Sequence, residues 1–317
     1  MAQSEFPLNP ALTAICVGYK NPDVALIADA VMPRVSVPTK TFNYTVYNKG
    51  DAYTVPNTRV MRKSEPTQVD FGGTLTAATC VDYGLDDLLP NDEVEIWQSM
   101  PKPAGAVSPQ AKSASLLTGL ILLDREVRVA AKVFNSASYA AGQTQALSGT
   151  SQWSDTSNSN PLSALMNALD VPVFRPNAIV LGRAAWTVLR QHPKLAQAVG
   201  NSAQTAGVIT KQQLADLLEV QQVLIGESFV NTARRGQTPS LSRTWGKHCA
   251  LLYVSAQMAD ADQPTFGFTA QWGSRVAGNI PEQKKGLRGG ETIRVGESVQ
   301  EVITDPACGY LFQNCVA

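Results

Sequence analysis

Between residues 108 and 134, Leu116, Leu120, Leu123, Val127, Ala130 and Phe134 recur at spacings of three and four. That period predicts an amphipathic helix with these residues as its buried stripe. Ser108 is a good N-cap and Pro109 a good first-turn residue. Asp124 and Arg128 are spaced for an i,i+4 ion pair on the other side. About 25 residues at about 1.5 Å each give a rod of about 40 Å. Such a rod is long for a small globule and suits a flat plate.

Residues 37–80 carry a different period. Phe42, Tyr44 and Val46 alternate with Thr41, Asn43 and Thr45, as in a strand with one apolar face. Asn48, Lys49, Gly50 and Asp51 supply turn residues, after which Tyr53 and Val55 resume the alternation. Pro38, Pro56 and Pro66 make this a poor central strand and a good free ribbon. A two-stranded ribbon without a core of its own is marginal, so it needs a surface to lie on. Residues 1–36, punctuated by Pro7, Pro10, Pro22 and Pro33, read as an extended arm. One short helix is expected from Pro22, with Val24, Ile27 and Val31 on one face, stopping at Met32 before Pro33.

Residues 135–160 are rich in Ser, Thr, Asn, Gly and Ala and read as a loop, with Trp153 as its anchor. From Pro161 the pattern is mixed α/β. Helices are expected at 161–168 and from Gly182 to Arg190. Thr210 with Gln213 forms a capping box ahead of another helix. Strands are expected at 178–181, 220–225 and 249–254, with several short strands after them. No internal repeat is present.

Composition narrows the function. Of 317 residues 44% are hydrophobic and only 16% charged, and 26 basic residues balance 26 acidic ones. This excludes global disorder and excludes a chain that holds nucleic acid mainly by bulk positive charge. Low charge with zero net charge fits a surface largely covered by copies of itself. The stretch Leu116 to Leu123 is interrupted by Thr118 and Gly119 and falls far short of the roughly 18 residues of a membrane span. The start, MAQSEFPLNP, lacks the basic-then-apolar run of a secretory signal, so assembly in a cytoplasm is expected. Cys16, Cys80, Cys249, Cys308 and Cys315 are odd in number and never spaced as CxxC, which predicts reduced, buried thiols.

Catalytic patterns are missing. His192 and His248 stand in no metal-binding spacing, and His192, before Pro193, reads as a helix-end residue. Neither Ser228 nor Ser298 sits in GxSxG, and Gly246-Lys247 is not a Walker loop. KKGLRGG at 284–290 reads as a solvated turn between strands rather than a phosphate loop. Asp86-Asp87 and Asp92-Glu93 read as solvated charge rather than a cation site. No catalytic residue, cofactor or metal is expected. Arg59, Arg62 and Lys63 lie on the ribbon, where contact with acidic groups of a neighbour is favoured over nucleic acid.

The order of parts is an arm, a ribbon, a lone long helix, an α/β body and terminal strands. It resembles the major capsid proteins of tailed bacteriophages, an α+β architecture known as the Hong Kong 97-type fold. YKNPDVALIADAVMPRVSVPTKTFNYTVYNKGDAY at 19–53 is similar to that family's arm-to-ribbon junction. PNAIVLGRAAWTVLRQHPKL at 176–195 and ITKQQLADLLEVQQVLIGESF at 209–229 are similar to its apical domain.

The resemblance implies a domain plan: an N-terminal arm at 1–36, an extended loop at 37–80 and a peripheral domain at 81–169 with its spine helix at 108–134. An axial domain at 170–265 follows, and residues 266–317 are strands returning from the peripheral to the axial domain. Phe42, Tyr44, Asn48, Lys49, Gly50, Asp51, Arg59, Arg62 and Lys63 would make intersubunit contacts. Some relatives cross-link a ribbon lysine; Lys49 and Lys63 are ribbon lysines, but no partner asparagine or glutamate can be matched here.

The implied role is a structural protein of the virion. Its pentamers and hexamers would form an icosahedral shell around double-stranded DNA, bound without sequence specificity, after assembly in the host bacterial cytoplasm. Portal and scaffold proteins, and in some shells a decoration protein, would be partners; no membrane is involved. Only about 107 residues precede the spine, and arm and ribbon use them, so a separate scaffold protein is expected. Two alternatives stand beside this reading: an encapsulin-like compartment, and a cytosolic α/β enzyme with the ribbon as its lid.

Overall fold

The computed structural model describes residues 7–19, 26–47, 53–62, 64–69, 73–101, 106–200, 207–234, 236–255 and 265–317. The chain opens with helices α1 (Pro10–Gly18) and α2 (Ala28–Val31) and strands β1 (Arg34–Val37), β2 (Thr41–Tyr47), β3 (Gly73–Thr79) and β4 (Val81–Pro90). Helices α3 (Asn91–Ser99) and α4 (Pro109–Val133), strand β5 (Thr144–Ala146), helix α5 (Pro161–Leu169) and strand β6 (Ala178–Gly182) follow. Then come α6 (Arg183–Leu189), α7 (Pro193–Val199), α8 (Lys211–Leu218), β7 (Gln222–Gly226), β8 (Phe229–Asn231) and β9 (Leu241–Arg243). The chain closes with β10 (Cys249–Leu252), β11 (Gly267–Glu282), β12 (Gly290–Ile303) and β13 (Gly309–Gln313).

Two sheets divide the body. The long sheet has the order β1-β11-β12-β4, with β1 parallel to β11 and the other pairs antiparallel. The second sheet has the order β5-β13-β10-β6-β7. The pattern predicts short strands near the C-terminus, whereas β11 and β12 form one hairpin of 16- and 14-residue strands. Gly273 forms a bulge inside β11: the register shifts between Trp272 and Val276, and Gly273 takes φ +70°. The 284–290 stretch is the solvated turn expected of it.

The described arm is more helical than expected, with α1 in addition to the short helix before Pro33, and is extended at β1. Pro10 begins a helix rather than preventing one, and Pro7 lies three residues before it. Asn9 Oδ1 accepts from Ala11 N at 3.1 Å and Leu12 N at 3.3 Å, and Pro10 takes the first helical position. Leu12 and Cys16 pack on Ile121, Ala277 and Ile293 of the chain's own body. The helix expected from Pro22 is described only from Ala28, and it stops at Val31 before Pro33. Residues 20–25 lie outside the described residues.

Helix α4 has the predicted ends: Ser108 Oγ accepts from Ala111 N at 3.2 Å. Ala130 is buried as predicted, but most of the buried face is shifted from the predicted stripe. Ala114, Leu117, Ile121, Leu122, Val129 and Val133 are buried, while Leu116 and Leu120 are 60% and 55% exposed. The true face was masked by polar residues that it also buries, namely Ser113, Thr118, Arg125 and Glu126. The Asp124–Arg128 ion pair forms as expected.

Those buried charges tie arm to body. Arg125 donates to Asp29 Oδ1 at 2.5 Å and to Met32 O and Thr269 Oγ1 at 3.0 Å each. Asp29 also takes Arg34 Nε at 2.8 Å. Arg34 and Arg275 converge on Glu297 at 2.9 and 3.1 Å. Burial by itself would raise the Glu297 carboxyl, but Arg34 and Arg275 outweigh it and hold the group below its ordinary value. Asp29 is held down in the same way by Arg125 and Arg34. A depressed carboxyl contributes stability above its unfolded pKa, about 4, and loses it as pH falls through the folded value. We expect urea midpoints to stay level from about pH 7 to 5 and to fall below about pH 4. Glu297→Gln should flatten that acid limb; a limb as steep as in the wild type would place its origin elsewhere.

The second sheet carries the larger apolar core. Ile179, Leu181, Leu189, Leu195, Leu214, Leu251 and Phe312 are buried in it. The capping box holds: Gln213 N donates to Thr210 Oγ1 at 3.2 Å, and Thr210 N to Gln213 Oε1 at 2.9 Å. Trp153 anchors its loop, buried 5.9 Å from Phe312. The five cysteines are buried and unpaired with one another.

Candidate functional site

The ribbon leaves the long sheet as a two-stranded structure, but its return strand differs from the expected one. β2 pairs antiparallel with β3, from Thr41↔Thr79 to Tyr47↔Gly73. The predicted partner, Tyr53 and Val55, forms no strand: Tyr53 is helical and Val55 lies in irregular chain. Thr-rich β3 has too little apolar character to announce itself, and Tyr53 and Val55 mimic an alternation without pairing.

Phe42 and Tyr44 hold the ribbon root on the chain's own body. Phe42 is buried 6.4 Å from Phe268, and Tyr44 stands edge-on to the same ring at 6.3 Å. Cys80, Ala270 and Val302 complete this cluster. Within the subunit these two residues fix the ribbon's root. Arg59 and Arg62 are exposed, with Arg59 N donating to Asn57 Oδ1 at 3.1 Å and Thr67 Oγ1 to Asn57 O at 3.0 Å. Asn48, Lys49, Gly50, Asp51 and Lys63 lie outside the described residues.

Exposed apolar side chains mark where the molecule is unfinished. Val55 is 89% exposed, and Tyr53, Val60, Met61 and Val69 along the ribbon are open as well. Leu287 in the β11–β12 turn is 99% exposed. Phe229 and Leu241 stand out on the β8–β9 hairpin. These exposed apolar side chains on the ribbon, the β11–β12 turn and the β8–β9 hairpin favour burial against other molecules.

Several of the residues weighed for chemistry are engaged in structural contacts, whereas the buried Ser228 Oγ has no hydrogen-bond partner among the described residues. Asp86 pairs with Arg294 at 2.6 Å, Asp87 accepts from Ser113 Oγ at 2.5 Å, and Asp92 faces Arg288 at 3.6 Å. His192 is the N-cap of α7, its Nδ1 accepting from Lys194 N at 3.3 Å and its Nε2 lying 3.1 Å from Ser159 Oγ. Burial, with Lys194 adding to it, lowers its pKa. Among the described residues, no group of three or more His, Cys, Asp or Glu side chains could hold a metal ion. No described helix is long and apolar enough to cross a membrane.

No family model matches the chain. The major capsid protein of Pseudomonas phage JBD67 is 43% identical to it over 317 residues, covering 100% of both chains. Among solved structures, a phage-related protein from Bordetella bronchiseptica RB50 superposes with a TM-score of 0.75 at 21% identity, over 98% of each chain. The capsid of cyanophage P-SCSP1u gives 0.56 at 8% identity, over 93% of this chain and 90% of that one. These likenesses identify a mixed α+β capsid fold. Of the readings of the sequence, the coat-protein one is that of the relatives, and an unfinished, projecting subunit is what a shell requires. The chain belongs to the phage major capsid proteins, structural subunits that build the shell of the virion.

Proposed function

We propose that the chain builds its shell as a Hong Kong 97-type subunit, with an arm at 1–36 and an extended loop at 37–80. The peripheral domain is 81–169 around the spine helix, the axial domain is 170–265, and 266–317 return between them. The two-sheet division supports this plan: β11 and β12 belong to the long sheet beside α4, and β13 crosses to the second sheet. Pentamers and hexamers would close an icosahedral shell around double-stranded DNA, with portal, scaffold and optional decoration proteins as partners. Assembly would take place in the host bacterial cytoplasm, and the role would be free of catalysis.

The observation that carries the ribbon's part is its exposure. Residues 53–62 and 64–69 extend from a root fixed by Phe42 and expose their apolar side chains. In a closed lattice each modest contact is repeated many times, and segments that cannot fold alone gain stability there. Phe42→Asp should detach the root from Phe268 while leaving both main cores intact. Light scattering after size exclusion, with negative-stain microscopy, should show shells or capsomers for the wild type and soluble folded subunits for the variant. Variant subunits that still close into shells would remove the ribbon from assembly.

A further inference from the structure

Helix α4 carries two apolar faces and the subunit buries one of them. Leu117 and Ile121 pack into the body. On the opposite side Leu116 and Leu120 are exposed, and Leu123 and Val127 are half-buried. These four follow one another at spacings of four, three and four. That alternation is the one by which a helix receives a second helix, here over three turns and about 16 Å.

The open stripe has a shoulder on each flank. Gly119 lies under Tyr19: a Cβ there would stand 3.2 Å from the Tyr19 hydroxyl oxygen. The Arg128 guanidinium lies 3.7 Å over the Tyr83 ring. At about 100° per residue, Gly119 and Arg128 are half a turn apart, so the two tyrosines border the stripe from opposite sides. Exposed Lys112 lies one turn before Leu116, and Asp124, ion-paired with Arg128, lies beside Leu123.

We infer that this stripe is the docking site for an amphipathic helix of a separate protein, with apolar residues at the same spacing and an acidic residue over Lys112. The inference rests on the reading that assembly uses a separate scaffold protein, and it names where that protein holds the subunit. Other occupants match the stripe poorly. Nucleic acid is held through basic groups, and the stripe offers only leucine and valine. The ribbon's residues 54–62 and 64–69 contain no helix. No other described helix exposes more than one large apolar side chain, so none in a second copy matches three turns. A second α4 laid antiparallel, Leu120 against its partner's Leu123, brings the two Asp124 carboxylates onto one flank near the centre, a like-charge contact. A contact of three turns is weak taken singly, and many of them around a shell act together.

The test is a photo-reactive phenylalanine at Leu120, with Leu116 as a second position should the first variant fail to fold. The variant is made in cells that produce all proteins of the virion, assembling particles are irradiated, and linked peptides are read by mass spectrometry. A link to another protein, in a segment with apolar residues at three-and-four spacing, is expected. A link to this chain's own sequence, within or between copies, a link to a segment without that spacing, or no link overturns the proposal. Leu116→Ser combined with Leu120→Ser should leave the urea midpoint unchanged and lower the yield of closed shells about tenfold, and methionine at both positions should restore it. An unchanged yield or a lowered midpoint counts against the docking site. The two readings fail separately. Uniform shells from the wild-type chain alone would remove the separate scaffold, and the proposal with it. Shells that need a partner whose links land elsewhere would remove only the site on α4.

Discussion

Replacing Glu126 by alanine is expected to cost the subunit about 4 kcal/mol, a large share of a total of about 5–15 kcal/mol for a typical protein. The carboxylate is fully buried and accepts three hydrogen bonds. Ile27 N and Trp245 Nε1 reach Oε1 at 3.0 and 2.6 Å, and Ala28 N reaches Oε2 at 2.9 Å. Ile27, Ala28 and Trp245 are themselves buried, so no water can replace the lost acceptor without rearrangement. Each buried orphan donor costs about 1–3 kcal/mol. Burial raises the Glu126 carboxyl, against the pull of these donors and of Arg125. Glu126→Gln keeps one acceptor and turns an amide toward a backbone donor, so about half the loss is expected. Urea unfolding followed by tryptophan fluorescence, in an assembly-blocked background, measures both. Equal midpoints for wild type and Glu126→Ala would show that the arm's attachment does not depend on this group.

The second large effect is expected at Gly226, which pairs with Gly182 at the end of the β6–β7 ladder. A Cβ on Gly226 would lie 2.0 Å from Trp245 Cγ, and one on Gly182 would lie 2.1 Å from Gly246 O. Neither neighbour can yield. Trp245 is buried, its indole N–H is bound by Glu126, and its ring stands edge-on to Phe134 at 5.6 Å. Overpacking of cores costs about 1–3 kcal/mol when side chains can shift, and more when they cannot. Gly226→Ala should therefore lose about 4 kcal/mol or fail to give soluble subunit. Gly142→Ala is the contrast. Its φ of +81° is strained for alanine, but nothing lies within 4 Å, so about 1 kcal/mol is expected. If the two alanines behave alike, contact with Trp245 is not what fixes Gly226.

Glu126 also shows where the sequence was legible and where it was not. The ends of α4 could be read because Ser108 and Pro109 act locally. Its buried face could not, because Arg125 and Glu126 enter the core only through partners on the arm and beside Trp245, which no local period reveals. The caps at Thr210 and the anchor Trp153 were readable for the same local reason. Helix α1 was hidden by prolines that begin it. The ribbon's outbound strand was plain in Phe42 and Tyr44, whereas its return, Gly73–Thr79, carries mostly Thr and Ala. The pairing of Gly84 with Gly296 was beyond reading, since the two meet only through strand register.

The parallel pairing of β1 with β11 has a consequence for synthesis. Arg34 aligns with Thr269, and β4 reaches the long sheet only through β12. In the second sheet β5 is held by β13, the last strand of the chain. Neither sheet can close while the C-terminal region is still being translated, and such long-range pairings form late and slowly. A nascent chain that lacks β11–β13 thus carries its arm and ribbon without a completed long sheet. Folding of both sheets is therefore expected to wait on β11, β12 and β13, and truncation before β11 should leave neither sheet intact.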